Sequence, residues 1–138
     1  MRVLITGASR GIGAAVARSF AKRGARVALV ARSKQNPVHG DLEGTLMQTA
    51  CDVEALGGIP LVMNVDVSDA VAWKETLGRV TNALNGIDVL VNNASALYLN
   101  KVSSVKEMDL LHRVNTRATM MAIQECVPFM NNGGSFIM

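Results

Sequence analysis

One run constrains this chain more than any other: Thr6-Gly7-Ala8-Ser9-Arg10-Gly11-Ile12-Gly13. It follows a short apolar run, Arg2–Thr6, and opens a segment of helical periodicity, so it reads as the turn between a strand and a helix. Gly7 permits the tight turn. Gly11 lets a pyrophosphate approach the backbone, and Gly13 lets the helix pack closely on the sheet. The helix N-terminus then offers unpaired N–H groups and the positive end of its dipole to phosphates. Gly7, Ala8, Ser9, Arg10, Gly11, Ile12 and Gly13 are therefore candidate dinucleotide contacts. A bare structural βα turn does not need three glycines plus Ser9 and Arg10. Without a Gly-Lys-Ser/Thr, a P-loop NTPase is disfavoured.

Strand and helix patterns alternate along the rest of the chain. Gly11–Lys22 reads as a helix with Ile12, Val16 and Phe20 on one face, closed by Gly24. Val27–Val30 is a buried strand and Ser33–Gly44 a loop. Thr45–Leu56 is a second helix with Leu46, Val53 and Leu56 inward. Pro60–Val67 is a third strand. Ser68 or Asp69 caps a third helix that carries Trp73, Leu77, Val80 and Leu84 inward and stops at Asn85-Gly86. Ile87–Val91 is a fourth strand and Asn92–Ser103 a loop. Ser104 and Glu107 have capping-box spacing for a long fourth helix reaching about Cys126. Asn131–Gly134 reads as a turn, and Ser135–Met138 as the opening of a fifth strand. Continuous apolar strands joined by helices imply a parallel sheet covered on both faces. Right-handed crossovers give a three-layer α/β, doubly wound (Rossmann) sheet of order 3-2-1-4-5, incomplete on its C-terminal side, with ligand at the switch point beside strand one. Residues 1–138 form a single domain.

Composition narrows the function classes. The chain is 49% hydrophobic, enough to fold by burial without a metal or disulfide staple. No apolar run approaches the roughly 20 residues of a membrane span, and no signal peptide is expected, because Met1–Ile5 runs straight into the glycine turn. The formal charge of +3 is spread along the chain and aromatics are 4%, a poor match to a nucleic-acid surface. Cys51 and Cys126 read as small buried hydrophobes in a reducing compartment. His39 and His112 have no partners at ligand spacing, so no metal is expected.

The residue after strand two selects the nucleotide. A carboxylate there binds a ribose 2′-OH, and a basic residue accommodates a 2′-phosphate. Here the strand ends Val30-Ala31-Arg32-Ser33-Lys34. Arg32, with Arg10 from the glycine turn, favours NADP over NAD; solvated loop charges are the alternative. The missing acid also argues against an S-adenosylmethionine methyltransferase.

Taken with Asn92-Asn93-Ala94-Ser95 and Asn115, the Thr-Gly-x-x-x-Gly-x-Gly turn resembles the short-chain dehydrogenase/reductase family, along the whole chain. Ser95, Val65-Asp66-Val67 and Val114-Asn115-Thr116-Arg117 are similar to its hydroxysteroid dehydrogenase-like subgroup. That subgroup is associated with peroxisomes or mitochondria and often carries a C-terminal sterol-carrier domain; a cytoplasmic location is otherwise expected. The resemblance implies that Asp66 accepts the adenine amino hydrogen bond, although an N-cap role is compatible. It implies that Val67 lines the ring pocket and that Ala94 passes close to the ribose. One Asn of the Asn92-Asn93 pair braces the sheet, and Asn92 is counted with the cofactor-binding set. Spacing puts Asn115 on the inward face with Met108 and Leu111, and the resemblance implies that it is the catalytic-tetrad Asn, which holds a water linking the catalytic Lys to solvent.

By the resemblance, the family's Ser and Tyr-x-x-x-Lys would fall beyond the fifth strand, after Met138, and Tyr98 has no Lys four residues on. The expectation is thus the N-terminal, NADP-binding part of an oxidoreductase that transfers a hydride between nicotinamide and an alcohol or carbonyl substrate. A non-catalytic nucleotide-binding module is the alternative. The resemblance also implies a homo-oligomer for the complete protein, through the fourth helix and the one after it.

Overall fold

The computed structural model describes residues 1–33, 44–97 and 104–138, with backbone only at Asn131 and Asn132. Strand β1 (Arg2–Thr6) sets the pattern. Val3 and Ile5 enter one apolar core and Leu4 the other, because successive side chains of a strand point to opposite faces. Strand β2 (Arg26–Ala31) repeats the split, with Val27 and Leu29 on one side and Ala28 and Val30 on the other. Both faces are covered, which is why these strands read as continuous apolar runs.

Helices α1 (Gly11–Ala21) and α2 (Leu46–Ala55) cover the Val3 face. Helix α3 (Ala70–Leu84) and the last helical segment cover the Leu4 face. With β3 (Ile59–Asn64), β4 (Ile87–Val91) and β5 (Met130–Ile137), the sheet has order β3-β2-β1-β4-β5 and every pairing is parallel. The chain winds outward from β1 to β3 and then restarts at β4 on the other side of β1. That reversal opens a crevice at the carboxyl ends of β1 and β4. At the amino ends, Asp88 pins the two strands together. Its carboxylate takes the Arg2 backbone N–H at 2.7 Å and pairs with the guanidinium at 2.6 Å. No helix among the described residues is long and apolar enough to cross a membrane.

Several local expectations are corrected. On α1 the buried residues are Gly13, Ala14, Ala17 and Ala21, while Ile12 is 75% exposed and Val16 and Phe20 only flank the core. The helix lies so close to the sheet that small residues face it, and hydrophobicity alone misplaces the buried stripe. Cys51 is exposed on α2. Cys126 is buried as expected, and burial pushes its thiol up to about 12. Strand β3 ends at Asn64, leaving Val65–Val67 as an exit segment. Asp69 caps α3, accepting from the Val71 and Ala72 N–H groups at 3.1 Å each. The Asn131–Gly134 turn is absorbed into β5 as an irregularity in its pairing with β4, where Met130 faces Ile87 but Ser135 faces Val89. Lys34, His39, Tyr98 and most of the two loops expected at Ser33–Gly44 and Asn92–Ser103 lie outside the described residues.

The fourth helix departs most from its expected form. The Ser104–Glu107 capping box is present. After α4 (Val105–Leu111), however, the chain widens into a π-helical stretch, His112–Ala118, before α5 (Thr119–Cys126). The i→i+5 turn shifts the buried stripe. Val114, Ala118, Ala122 and Cys126 face the core, while Met108 and Asn115 are exposed. Trp73, wholly buried on α3, donates its indole N–H to the Ala118 carbonyl at 3.0 Å, which anchors the end of the wide turn.

Replacing Trp73 with Phe keeps most of the apolar volume but leaves that carbonyl without its donor. Denaturant unfolding of Trp73→Phe is expected to show a loss of about 1–3 kcal/mol. An unchanged midpoint would mean that the indole bond contributes nothing to holding the wide turn.

Candidate functional site

At the carboxyl edge of the sheet lies an open cleft of about 480 Å³. Its floor is the turn between β1 and α1, held by a stitch to the end of β4. The Thr6 hydroxyl oxygen accepts from the Asn93 and Ala94 backbone N–H groups at 3.0 and 2.9 Å. The Asn93 side-chain amide donates back to the Thr6 and Gly7 carbonyls at 3.0 and 3.2 Å. This packing decides which positions are glycine. Gly7 has φ +68°, and a Cβ there would sit 2.8 Å from the Asn93 amide. A Cβ on Gly13 would collide with the Gly7 carbonyl and that same amide. Gly11 differs: it has open space around it and φ +54°, so backbone conformation selects glycine there. Arg10 precedes the helix in extended conformation and makes no side-chain cap. The first N–H groups of α1 therefore lack intrahelical partners and carry the positive dipole end.

One wall is basic. The Arg10 guanidinium donates to the Ser33 hydroxyl at 3.1 Å, and Ser33 is buried beside Arg32 at the end of β2. Asn64 holds that strand end in place, donating to the Ala31 and Arg32 carbonyls at 3.1 and 2.7 Å. Across the cleft mouth, Arg32 lies 3.8 Å from an Asp66 oxygen. The other Asp66 oxygen takes the Ser68 N–H at 2.8 Å, closing a tight side-chain turn after β3. Asp66 is therefore free of the N-cap role, which Asp69 fills.

Of the residues singled out from the sequence, Gly7, Ser9, Arg10, Arg32, Asp66, Val67 and Ala94 line the cleft. Ala8 is buried behind it, with its N–H on the Val30 carbonyl at 3.1 Å. Gly11, Ile12 and Gly13 belong to the start of α1, outside the lining. Asn92 points away, into a small gap beside Thr6, Trp73 and Thr119, and its side-chain nitrogen has no partner among the described residues. The bracing Asn is thus Asn93. Asn115, expected to face the core, is exposed and reaches the loop after β4. Its carbonyl oxygen accepts the Ala96 N–H at 2.9 Å and its amide donates to the Ala96 carbonyl at 3.0 Å. Sequence reading missed Thr6, Ser33 and Asn64 as organisers of the site. Their signal is a polar side chain at or just after the carboxyl end of a strand.

The family model for short chain dehydrogenase matches residues 1–137. The chain belongs to the short-chain dehydrogenase family. Human hydroxysteroid dehydrogenase-like protein 2 is 42% identical over 130 residues, covering 93% of this chain and 31% of the relative. The chain thus spans about a third of that protein's length. A short chain dehydrogenase from Mycobacterium thermoresistibile superposes with TM-score 0.85 at 37% identity, covering 93% of this chain and 46% of that one. A Burkholderia cenocepacia short chain dehydrogenase in complex with NADP superposes with TM-score 0.84 at 32% identity, covering 98% of this chain and 53% of the other. Within the family's sheet, the cleft occupies the switch-point crevice where open α/β folds bind ligands.

The glycine geometry makes two opposite predictions. Gly13→Ala should lose about 1–3 kcal/mol because its methyl overpacks the turn. Gly78→Ala, in the middle of α3 with nothing near its missing Cβ, should gain about 0.5–1 kcal/mol. Paired thermal melts test the difference; a destabilised Gly78→Ala or a neutral Gly13→Ala would contradict the packing described.

Proposed function

We propose that residues 1–138 are the NADP(H)-binding part of a short-chain oxidoreductase that moves a hydride between the nicotinamide and a small-molecule alcohol or carbonyl. One observation carries the choice of NADP. Arg10, Ser33 and Arg32 converge where β2 ends, and the segment from Val30 to Ser33 holds no carboxylate. A guanidinium and a hydroxyl suit a phosphate dianion, whereas a ribose 2′-OH calls for an acid. The NADP complex of the Burkholderia cenocepacia relative supports the same reading.

The cleft's residues fit such a group. Gly11, with open space where a Cβ would stand, leaves the turn backbone uncovered, and the N-terminus of α1 would meet the pyrophosphate. Asp66 would accept from the adenine amino group, with Val67 against the ring and Ala94 close to the ribose. When bound, the nicotinamide supplies or takes the hydride. Asn115, the tetrad member in this reading, keeps the loop through Ala96 in place. Val105, Met108 and Met120 are exposed apolar residues along the last helical segment, which supports a homo-oligomer through that segment. The likeness to the hydroxysteroid dehydrogenase-like subgroup supports a peroxisomal or mitochondrial location.

Calorimetric titration with NADPH and NADH tests the proposal. NADPH is expected to bind about tenfold or more tightly than NADH, and Arg32→Glu, which adds an acid at the β2 end, should narrow or reverse the ratio. Equal affinities in the unaltered protein would overturn the NADP assignment.

A further inference from the structure

The π-helical stretch holds two side chains that reach the rims of the cleft. Asn115 grips Ala96 on the β4 side. Arg117, two residues on, turns the other way, and its terminal Nη2 donates to the Ser68 carbonyl at 2.5 Å. Ser68 is also the residue whose N–H holds the Asp66 carboxylate. A short chain of contacts therefore runs from the helix to the acid through the backbone on either side of the Ser68 Cα: the guanidinium on its carbonyl, its N–H on Asp66. Arg117 is half-buried, and its Nε is shielded from solvent without a partner among the described residues. Sheltering a guanidinium incompletely is costly. The bond from its far end to the Ser68 carbonyl offsets part of that cost.

We propose that Arg117 is a positioning residue for adenine recognition: from the π-helical turn it fixes the Asp66–Ser68 turn that aims the Asp66 carboxylate into the cleft. The proposal rests on the reading of Asp66 as the acceptor for the adenine amino group. Because Asn115 and Arg117 leave the same wide turn, one helical segment sets both the Ala96 rim and the Asp66 rim, and Trp73 anchors that segment from behind through Ala118. Straightening the turn into a regular α-helix would rotate the two side chains relative to each other, so the wide turn itself sets the spacing of the rims.

The test compares NADPH with its hypoxanthine analogue, which carries a carbonyl where adenine has the amino group. The unaltered protein is expected to prefer NADPH by about tenfold, as a hydrogen bond to a charged group implies. In Arg117→Gln, NADPH affinity should fall while the analogue's stays nearly constant, collapsing the ratio toward unity. Arg117→Lys keeps a charged donor without the planar fork, and should lie between. Melting temperatures establish that each variant is folded; if Arg117→Gln is not, the Lys variant carries the comparison. A ratio kept at its original value in the folded variants overturns the proposal while leaving the Asp66 reading intact. No preference in the unaltered protein removes the Asp66 reading, and this proposal with it.

Discussion

The hydroxyl of Thr6 is the point on which the site depends. It takes two backbone N–H groups from the residues after β4, while the Asn93 amide returns two bonds to the carbonyls after β1. A doubly wound sheet opens a crevice wherever its winding direction reverses, but topology alone does not fix the crevice to a fraction of an ångström. This stitch does. Each donor or acceptor stranded by its loss would cost about 1–3 kcal/mol, a large share of a small domain's net stability. The same stitch explains Gly7 and Gly13, since there is no room for a Cβ between the turn and the Asn93 amide.

Charge is layered on that frame. Arg10 donates to Ser33, and Arg32 leans toward Asp66 at a distance where a half-exposed ion pair is weak. A basic wall built in this way stays available to a stronger anion, because little is lost when the Arg32–Asp66 contact is exchanged for a phosphate. Opposite it, the backbone after β3 is held more firmly, by Asp66 on Ser68, Arg117 on the Ser68 carbonyl and Asp69 on the start of α3. The cleft thus combines an adaptable charged wall with a rigid acidic rim.

Much of this was legible in the sequence. The strand order followed from alternating patterns and crossover handedness. The inward stripe of Trp73, Leu77, Val80 and Leu84 followed from simple helical spacing. Asp66, Val67 and Ala94 were marked for the cofactor by the family resemblance, and all three line the cleft. The misreadings share a cause: periodicity assumes ordinary spacing and ordinary distance. On α1 the helix approaches too closely for Ile12 and Phe20 to face the sheet, so alanines do. On the last helix a π turn moves the stripe from Met108 and Asn115 to Val114 and Ala118. The Asn92-Asn93 pair could not be resolved from spacing, because only the path of the chain past Thr6 decides which amide braces the turn. Arg117 has no local signature at all; its partner, Ser68, is remote in sequence.

The most direct test of the account is Thr6→Val, which removes one oxygen and keeps the shape. Its NADPH affinity, measured beside amide hydrogen exchange, is expected to fall by about tenfold or more, with protection lost in the β1–α1 turn and after β4 while the sheet core keeps its own. Native affinity and native protection in Thr6→Val would show that the stitch does not hold the cleft, and the account built on it would fail.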